Sequence, residues 1–160
     1  MSPRWLFLVV CVFSIAVMSS PIIAQTTDPR MGTWKVNLAK SKYNPGPAPK
    51  SQTLKFEPSG DGFKMTSDGV PAEGQPTHTE IVAKFDGKAY VVSGNPVGPI
   101  SRVYKRVDVR TIESQDTVKG VPSFRRTESV SADGKTLTVT TTGRSAQGQM
   151  TNNLVVYEKQ

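Results

Sequence analysis

Few residues in this chain could do conventional catalytic chemistry. There is one histidine, His78 in Pro76-Thr77-His78-Thr79-Glu80, and one cysteine, Cys11. The alternation of a strand places His78 with Glu80 and Lys84, opposite Ile81, Ala83 and Phe85. A zinc site takes three or four nitrogen, sulfur or carboxylate ligands, and no second histidine is present to join His78. A serine–histidine–aspartate triad would want its serine on a nucleophile elbow, and no such sequence occurs. Phosphate-cradling glycine loops, an EF-hand loop and an N-glycosylation sequon are absent too. His78 reads as an exposed strand residue. No enzymatic activity, metal or cofactor is expected.

A second cluster could do binding chemistry instead. In Phe124-Arg125-Arg126-Thr127-Glu128-Ser129-Val130, only Phe124 and Val130 are large and apolar, and they share parity. In a regular strand they would point inward and carry Arg126 and Glu128 with them. An interior arginine is unfavourable unless paired. It would need Glu128, Tyr104, Tyr157 or an anionic ligand. Ile100-Ser101-Arg102-Val103-Tyr104-Lys105-Arg106-Val107 poses the same question for Arg102 and Arg106. Burial cost favours a β-bulge that leaves all three arginines in water. The regular-strand alternative makes Arg126 the polar anchor of a bound molecule.

These residues must be positioned by strands, because no window shows a sustained helical period. Short alternating runs recur instead, divided by Gly, Pro, Asp and Asn. Trp34, Val36 and Leu38 share a face, as do Leu54 with Phe56, Phe63 with Met65, Ile81 with Phe85, and Leu137 with Val139. Further runs cover residues 88–93, 100–107, 110–118, 123–131 and 153–159. Asp86-Gly87 and Asp133-Gly134 predict two-residue hairpin turns, since Asp-Gly accepts positive φ. The expected fold is all-β, a single antiparallel up-and-down barrel of about 8–10 short strands.

The amino terminus sets an expected compartment. Met1–Arg4 carries one positive charge, and Trp5–Met18 is apolar apart from Ser14. Ser19-Ser20-Pro21 and Ala24 follow, the layout of a signal peptide cleaved after Ala24. The apolar run is shorter than the roughly 20 residues of a spanning helix, so no transmembrane segment is expected after cleavage. The domain would be residues 25–160, exported to the periplasm or the extracellular space. Cleavage removes Cys11, so disulfide and thiol chemistry leave with it. The formal charge of +7 loses only Arg4. Such a balance suits loose contact with an acidic envelope polymer or lipid head groups. Arg102, Lys105, Arg106 and Arg110 lack the interleaved stacking aromatics of a nucleic-acid reader, Tyr104 apart, and no nucleic-acid partner is expected.

Gly32-Thr33-Trp34, at the head of the first run, resembles the signature of the lipocalin and fatty-acid-binding (calycin) superfamily. That resemblance implies a tryptophan packed across the closed end of a barrel. Val156-Tyr157-Glu158-Lys159 looks like the last strand of the fatty-acid-binding branch. From Gly32 to Lys159 the chain is similar to small exported bacterial proteins described as lipocalin-like. Two departures stand out. Pro45, Pro47 and Pro49 cannot build that branch's helical lid. Val155 occupies the place of its carboxylate-anchoring arginine. The resemblance implies non-catalytic binding of a small hydrophobic or amphipathic ligand, with Trp34, Phe56, Phe85, Tyr104, Phe124, Arg126, Glu128 and Tyr157 as candidate site residues. The alternative is a filled barrel that acts through its basic surface.

Overall fold

The computed structural model describes residues 28–95, 98–145 and 148–160, so the expected signal segment lies outside the described residues. Ten strands form, one for each alternating run of the sequence. They are β1 (Gly32–Val36), β2 (Ser51–Ser59), β3 (Gly62–Val70), β4 (Thr77–Ala83), β5 (Ala89–Val92), β6 (Ile100–Arg106), β7 (Thr111–Val118), β8 (Val121–Val130), β9 (Thr136–Arg144) and β10 (Met150–Lys159). The sheet order is β4-β3-β2-β1-β10-β9-β8-β7-β6-β5, antiparallel throughout. The first strand pairs with the last, and every other ladder joins neighbours in the chain. This is the expected up-and-down barrel, nearly closed.

The two end strands, β4 and β5, close it with a single bridge. Glu80 N donates to Ser93 O at 3.1 Å and Ser93 N to Glu80 O at 2.9 Å. That pairing keeps the register of a two-residue turn at Asp86-Gly87. Between the bridge and the turn, however, the strands part, and the expected tight hairpin does not form. Phe85 turns inward onto Phe63, ring centroids 5.3 Å apart, and the Arg106 guanidinium covers it at 4.2 Å. The Asp86 carboxylate accepts from Lys88 N and from the Tyr90 hydroxyl, holding the loop in its own turn. Gly94 permits the bridge: its φ is +74°, and a Cβ there would meet His78 O at 2.2 Å. The second Asp-Gly pair keeps the predicted register but not the predicted turn. Val130 pairs with Leu137, Ser131 N donates to Thr136 O, and Gly134 N donates to Ser131 O, so residues 132–135 form a four-residue loop turning at Ala132-Asp133.

Side-chain alternation fills one end of the barrel. Trp34, Phe56, Phe63, Ile81, Tyr104, Ile112, Leu137 and Tyr157 are all buried there. Phe63 and Tyr104 meet edge-on at 5.0 Å, the favoured geometry for two quadrupolar rings. Trp34 lies between Leu54 of β2 and Lys159 of β10. Its indole Nε1 donates to the Arg30 carbonyl at 2.6 Å, and the Lys159 ammonium stands 5.1 Å over its ring.

The opposite end is crossed by residues 37–50. They make one 3-10 turn, Leu38–Lys40, and then an irregular strap. Leu38 is exposed rather than inward, because the strand alternation stops at Val36 and the Asn37 side chain accepts from Lys40 N. The prolines behave as expected, in that no helical lid forms. Instead the strap is tied to β10 by Lys42 N to Leu154 O at 2.7 Å, by Leu154 N to Lys42 O at 2.9 Å, and by Asn44 N to Asn153 Oδ1 at 2.7 Å.

Candidate functional site

Beneath the strap the barrel holds a cavity of about 510 Å³. Its deeper wall is apolar, made by Leu54, Phe56, Met65, Val92, Val139 and Val155. Its mouth is not. Gln52, Ser67, Thr77, Thr79, Thr141, Thr151 and Asn153 face it from the strand ends opposite Trp34, and Tyr43 faces it from the strap. Arg102, Arg126, Glu128 and Tyr157 complete the wall.

Arg102 and Arg126 point inward, and the preferred expectation that they lie in water is corrected for these two. Arg106 is exposed, as expected, with its guanidinium against Phe85 and Asp28. Arg102 and Tyr104 are buried on β6 with Ile100. Arg126 and Glu128 follow the parity of Phe124 and Val130 on β8, as the regular-strand alternative has it. A bulge does exist on β8, where the register shifts between Gln115 and Thr117 of the partner strand. It lies ahead of Arg126 and so leaves the inward parity from Phe124 to Val130 intact. Gly143 of β9, opposite Phe124, makes room for it: a Cβ there would sit 2.2 Å from Ser123 O.

What makes the burial tolerable is Asp116, a residue that the sequence reading did not single out. Arg102 Nε donates to Asp116 Oδ1 and Arg102 Nη2 to Asp116 Oδ2 at 3.2 Å. Arg126 Nη1 donates to the same Oδ2. One fully buried carboxylate therefore holds two guanidiniums. Burial pushes the Asp116 pKa up, but the two arginines outweigh it and hold the carboxyl below the usual aspartate range. Burial, and then the neighbouring Arg102 charge, lower the Arg126 pKa against the pull of Asp116. Neither Glu128 nor a tyrosine is the partner of Arg126, contrary to expectation.

Glu128 is engaged below. Arg30, fully buried ahead of β1, donates Nη1 to Glu128 and Nη2 to Asp28 at 2.8 Å. Its guanidinium stacks 4.8 Å from the Phe56 ring centroid, 4.5 Å from Phe63 and 5.4 Å from Phe85. Arg106 Nη2 reaches Asp28 at 3.2 Å. Burial disfavours the Arg30 charge, yet Glu128 and Asp28 hold its pKa above the ordinary arginine value. This segment plugs the closed end. It precedes the first alternating run, so no periodicity announces it.

The eight candidate residues separate into two groups. Phe56, Phe124, Arg126, Glu128 and Tyr157 line the cavity together. Trp34, Phe85 and Tyr104 pack in or over the core below it and are not part of its wall. The Tyr157 hydroxyl donates to Gln52 Oε1 at 2.8 Å, and Gln52 Nε2 donates to Ser67 Oγ at 3.2 Å. Burial pushes the Tyr157 pKa far up, so the phenol is a neutral donor. His78 is outside the barrel and exposed, with Nδ1 2.6 Å from Asp68 Oδ1. Among the described residues no group of His, Cys, Asp and Glu is placed to hold a metal, and no helix is long and apolar enough to cross a membrane.

No family model and no curated protein matches the sequence. Among solved structures it is similar to zebrafish ileal bile acid-binding protein complexed with cholic acid. The likeness has a TM-score of 0.51 at 16% identity and covers 82% of this chain and 98% of that one. At that identity the shared property is the fold. Ten antiparallel strands, a Gly-x-Trp on β1 and pairing of the first strand with the last make this chain a barrel of the calycin fold, with a strap in place of a helical lid.

Proposed function

We propose that the protein is a non-catalytic binder that holds one small amphipathic molecule inside the barrel. The cavity carries this reading, since a lumen packed solid by side chains would leave nothing to bind, and about 510 Å³ stands open. The bile acid-binding neighbour supports the same use of the interior. A wholly apolar guest fits the wall poorly. Stripping water from any three of the part-buried polar groups at the mouth would cost about 3–9 kcal/mol at 1–3 kcal/mol each. That offsets the transfer of roughly four to eleven methylenes at about 0.8 kcal/mol each. A guest with its own polar part avoids the loss.

Arg126 would orient that polar part. Its Nη1 is held by Asp116, but a guanidinium has five N–H donors in a fixed fork. Native mass spectrometry of protein purified from its own host should show a copurified small molecule. Arg126→Met should weaken its retention more than tenfold, as the loss of a charge-assisted hydrogen bond worth roughly 1.5–3 kcal/mol. The fold should survive, because Arg102 still neutralises Asp116. Unchanged retention in the variant would remove Arg126 from the site.

The second reading, a filled barrel working through its basic surface on acidic polymers or lipid head groups, keeps the net charge as its support but has no use for the cavity. Either role is set outside the cytoplasm by the signal-like amino terminus. Amino-terminal sequencing of the envelope or secreted form should begin at Gln25, and a full-length cytoplasmic chain would overturn export.

A further inference from the structure

We infer that the polar part of the ligand is a singly charged acid group, a carboxylate or a sulfate ester, seated against Arg126 at the cavity wall. This rests on the binding reading above and names the class of molecule that the site takes. The first observation is an unbalanced charge. Arg102 and Arg126 both line the cavity, and both lean on the single carboxylate of Asp116, so two positive charges face one negative. Glu128, the acid on the same wall, does not correct this, because Arg30 donates to it from below. Arg30 and Arg106 are matched in turn by Asp28 and Glu128. Tyr157 stays neutral. One positive charge is left over at the wall, and a buried charge without a partner is unfavourable. Burial, and then the Arg102 charge, act on Arg126 more strongly than Asp116 offsets.

The second observation is where the unused donors are. Arg102 is engaged at all three nitrogens: Nε and Nη2 go to Asp116, and Nη1 goes to the Tyr104 hydroxyl at 3.2 Å. Arg126 gives only Nη1 to Asp116, and among the described residues its Nε and Nη2 meet no acceptor. Its side chain keeps 21% exposure, whereas that of Asp116 keeps none. The edge of a guanidinium matches two oxygens of one acid group. Thr141 lies across from Arg126 on β9 and lines the cavity beside it, so its hydroxyl can donate to the same group. β10 brings no arginine to this site, since Val155 stands where the fatty-acid-binding branch has its carboxylate anchor. A doubly charged head group overshoots, because its second charge would be buried without a cation on the wall that also carries Glu128. A neutral one leaves the surplus in place.

The test displaces a neutral fluorescent probe, N-phenyl-1-naphthylamine, at pH 8 with guests of one alkyl length below their micelle concentrations. These are octyl glucoside, octanoate, octyl sulfate and octyl phosphate, the last mostly doubly charged at this pH. Octanoate and octyl sulfate should each displace the probe at a concentration about tenfold or more below that of the glucoside, the worth of one charge-assisted hydrogen bond. Both should also act below the concentration of octyl phosphate. Arg126→Gln should shrink the gap between acid and glucoside to less than about threefold. Arg125→Gln, which removes an equal charge from the exposed outer face of the same strand, should leave the gap intact. The single-acid inference is overturned, while cavity binding stands, if the glucoside matches the two acids or octyl phosphate surpasses them. It is equally overturned if Arg126→Gln leaves the gap open, or if Arg125→Gln closes it as far. If the probe itself does not bind, both readings fall together.

Discussion

Trp34→Ala should lower the unfolding free energy by about 3–5 kcal/mol, the usual result of removing a large core aromatic. Trp34 is fully buried, and it joins three parts of the chain that are otherwise far apart. It pairs with Leu54 on β2 and Lys159 on β10, and its indole N–H caps the carbonyl of Arg30. Alanine would empty the volume under the Lys159 side chain and orphan that carbonyl. It would also loosen the segment that carries the Arg30 plug. Trp34→Phe keeps most of the ring but not the hydrogen bond, so its loss should be smaller, about 1–3 kcal/mol. Urea unfolding followed by far-ultraviolet circular dichroism measures both without using tryptophan as the reporter. A loss below about 1 kcal/mol for the alanine variant would mean that the closed end is held by other contacts.

Strand existence was legible in the sequence because it depends on alternation alone. Leu54 with Phe56, or Ile81 with Ala83, need no knowledge of neighbours to declare which face is buried. The gap between β4 and β5 was not legible. Asp86-Gly87 has the right local chemistry for a tight hairpin, but the Asp86 carboxylate takes Lys88 N and the Tyr90 hydroxyl instead, contacts that the dipeptide alone does not announce. The arginines failed for a different reason. The unfavourable burial of a guanidinium is a property of a lone charge, and on that basis Arg102 and Arg126 belonged in water. Asp116 has the same inward parity as Ile112 and Ser114 within β7, so the missing signal was an acidic residue on the inner face of an adjacent strand. Only the register of β6, β7 and β8 together brings the three side chains into one cluster. Tyr43 and Arg30 sit in segments without any period, and for such residues sequence alternation has nothing to offer.

Asp116→Ala should destabilise the barrel by about 3–5 kcal/mol, because it leaves the buried Arg102 and the part-buried Arg126 without their shared counter-charge. The same argument fixes a pH dependence. The folded-state pKa of Asp116 is lowered, as is that of Asp28, whose bonds to Arg30 outweigh the opposing effect of its burial. The unfolded chain therefore takes up protons before the folded one as the solution becomes acidic. Stability from these groups is present in full above the ordinary aspartate pKa of about 3.9 and is lost as pH falls through the lowered folded values. Unfolding free energy should be nearly flat from pH 7 to about pH 5 and then decline. In Asp116→Ala the neutral-pH value should be lower and the acid decline shallower, since one of the linked carboxylates is gone. A triple variant, Asp116→Leu with Arg102→Met and Arg126→Met, should recover much of the loss, because well-packed apolar groups often match a buried ion cluster in stability. Urea unfolding of all three proteins at pH 7, 5, 4 and 3 decides the matter. Identical acid slopes for the native protein and Asp116→Ala would show that Asp116 does not carry the pH dependence assigned to it.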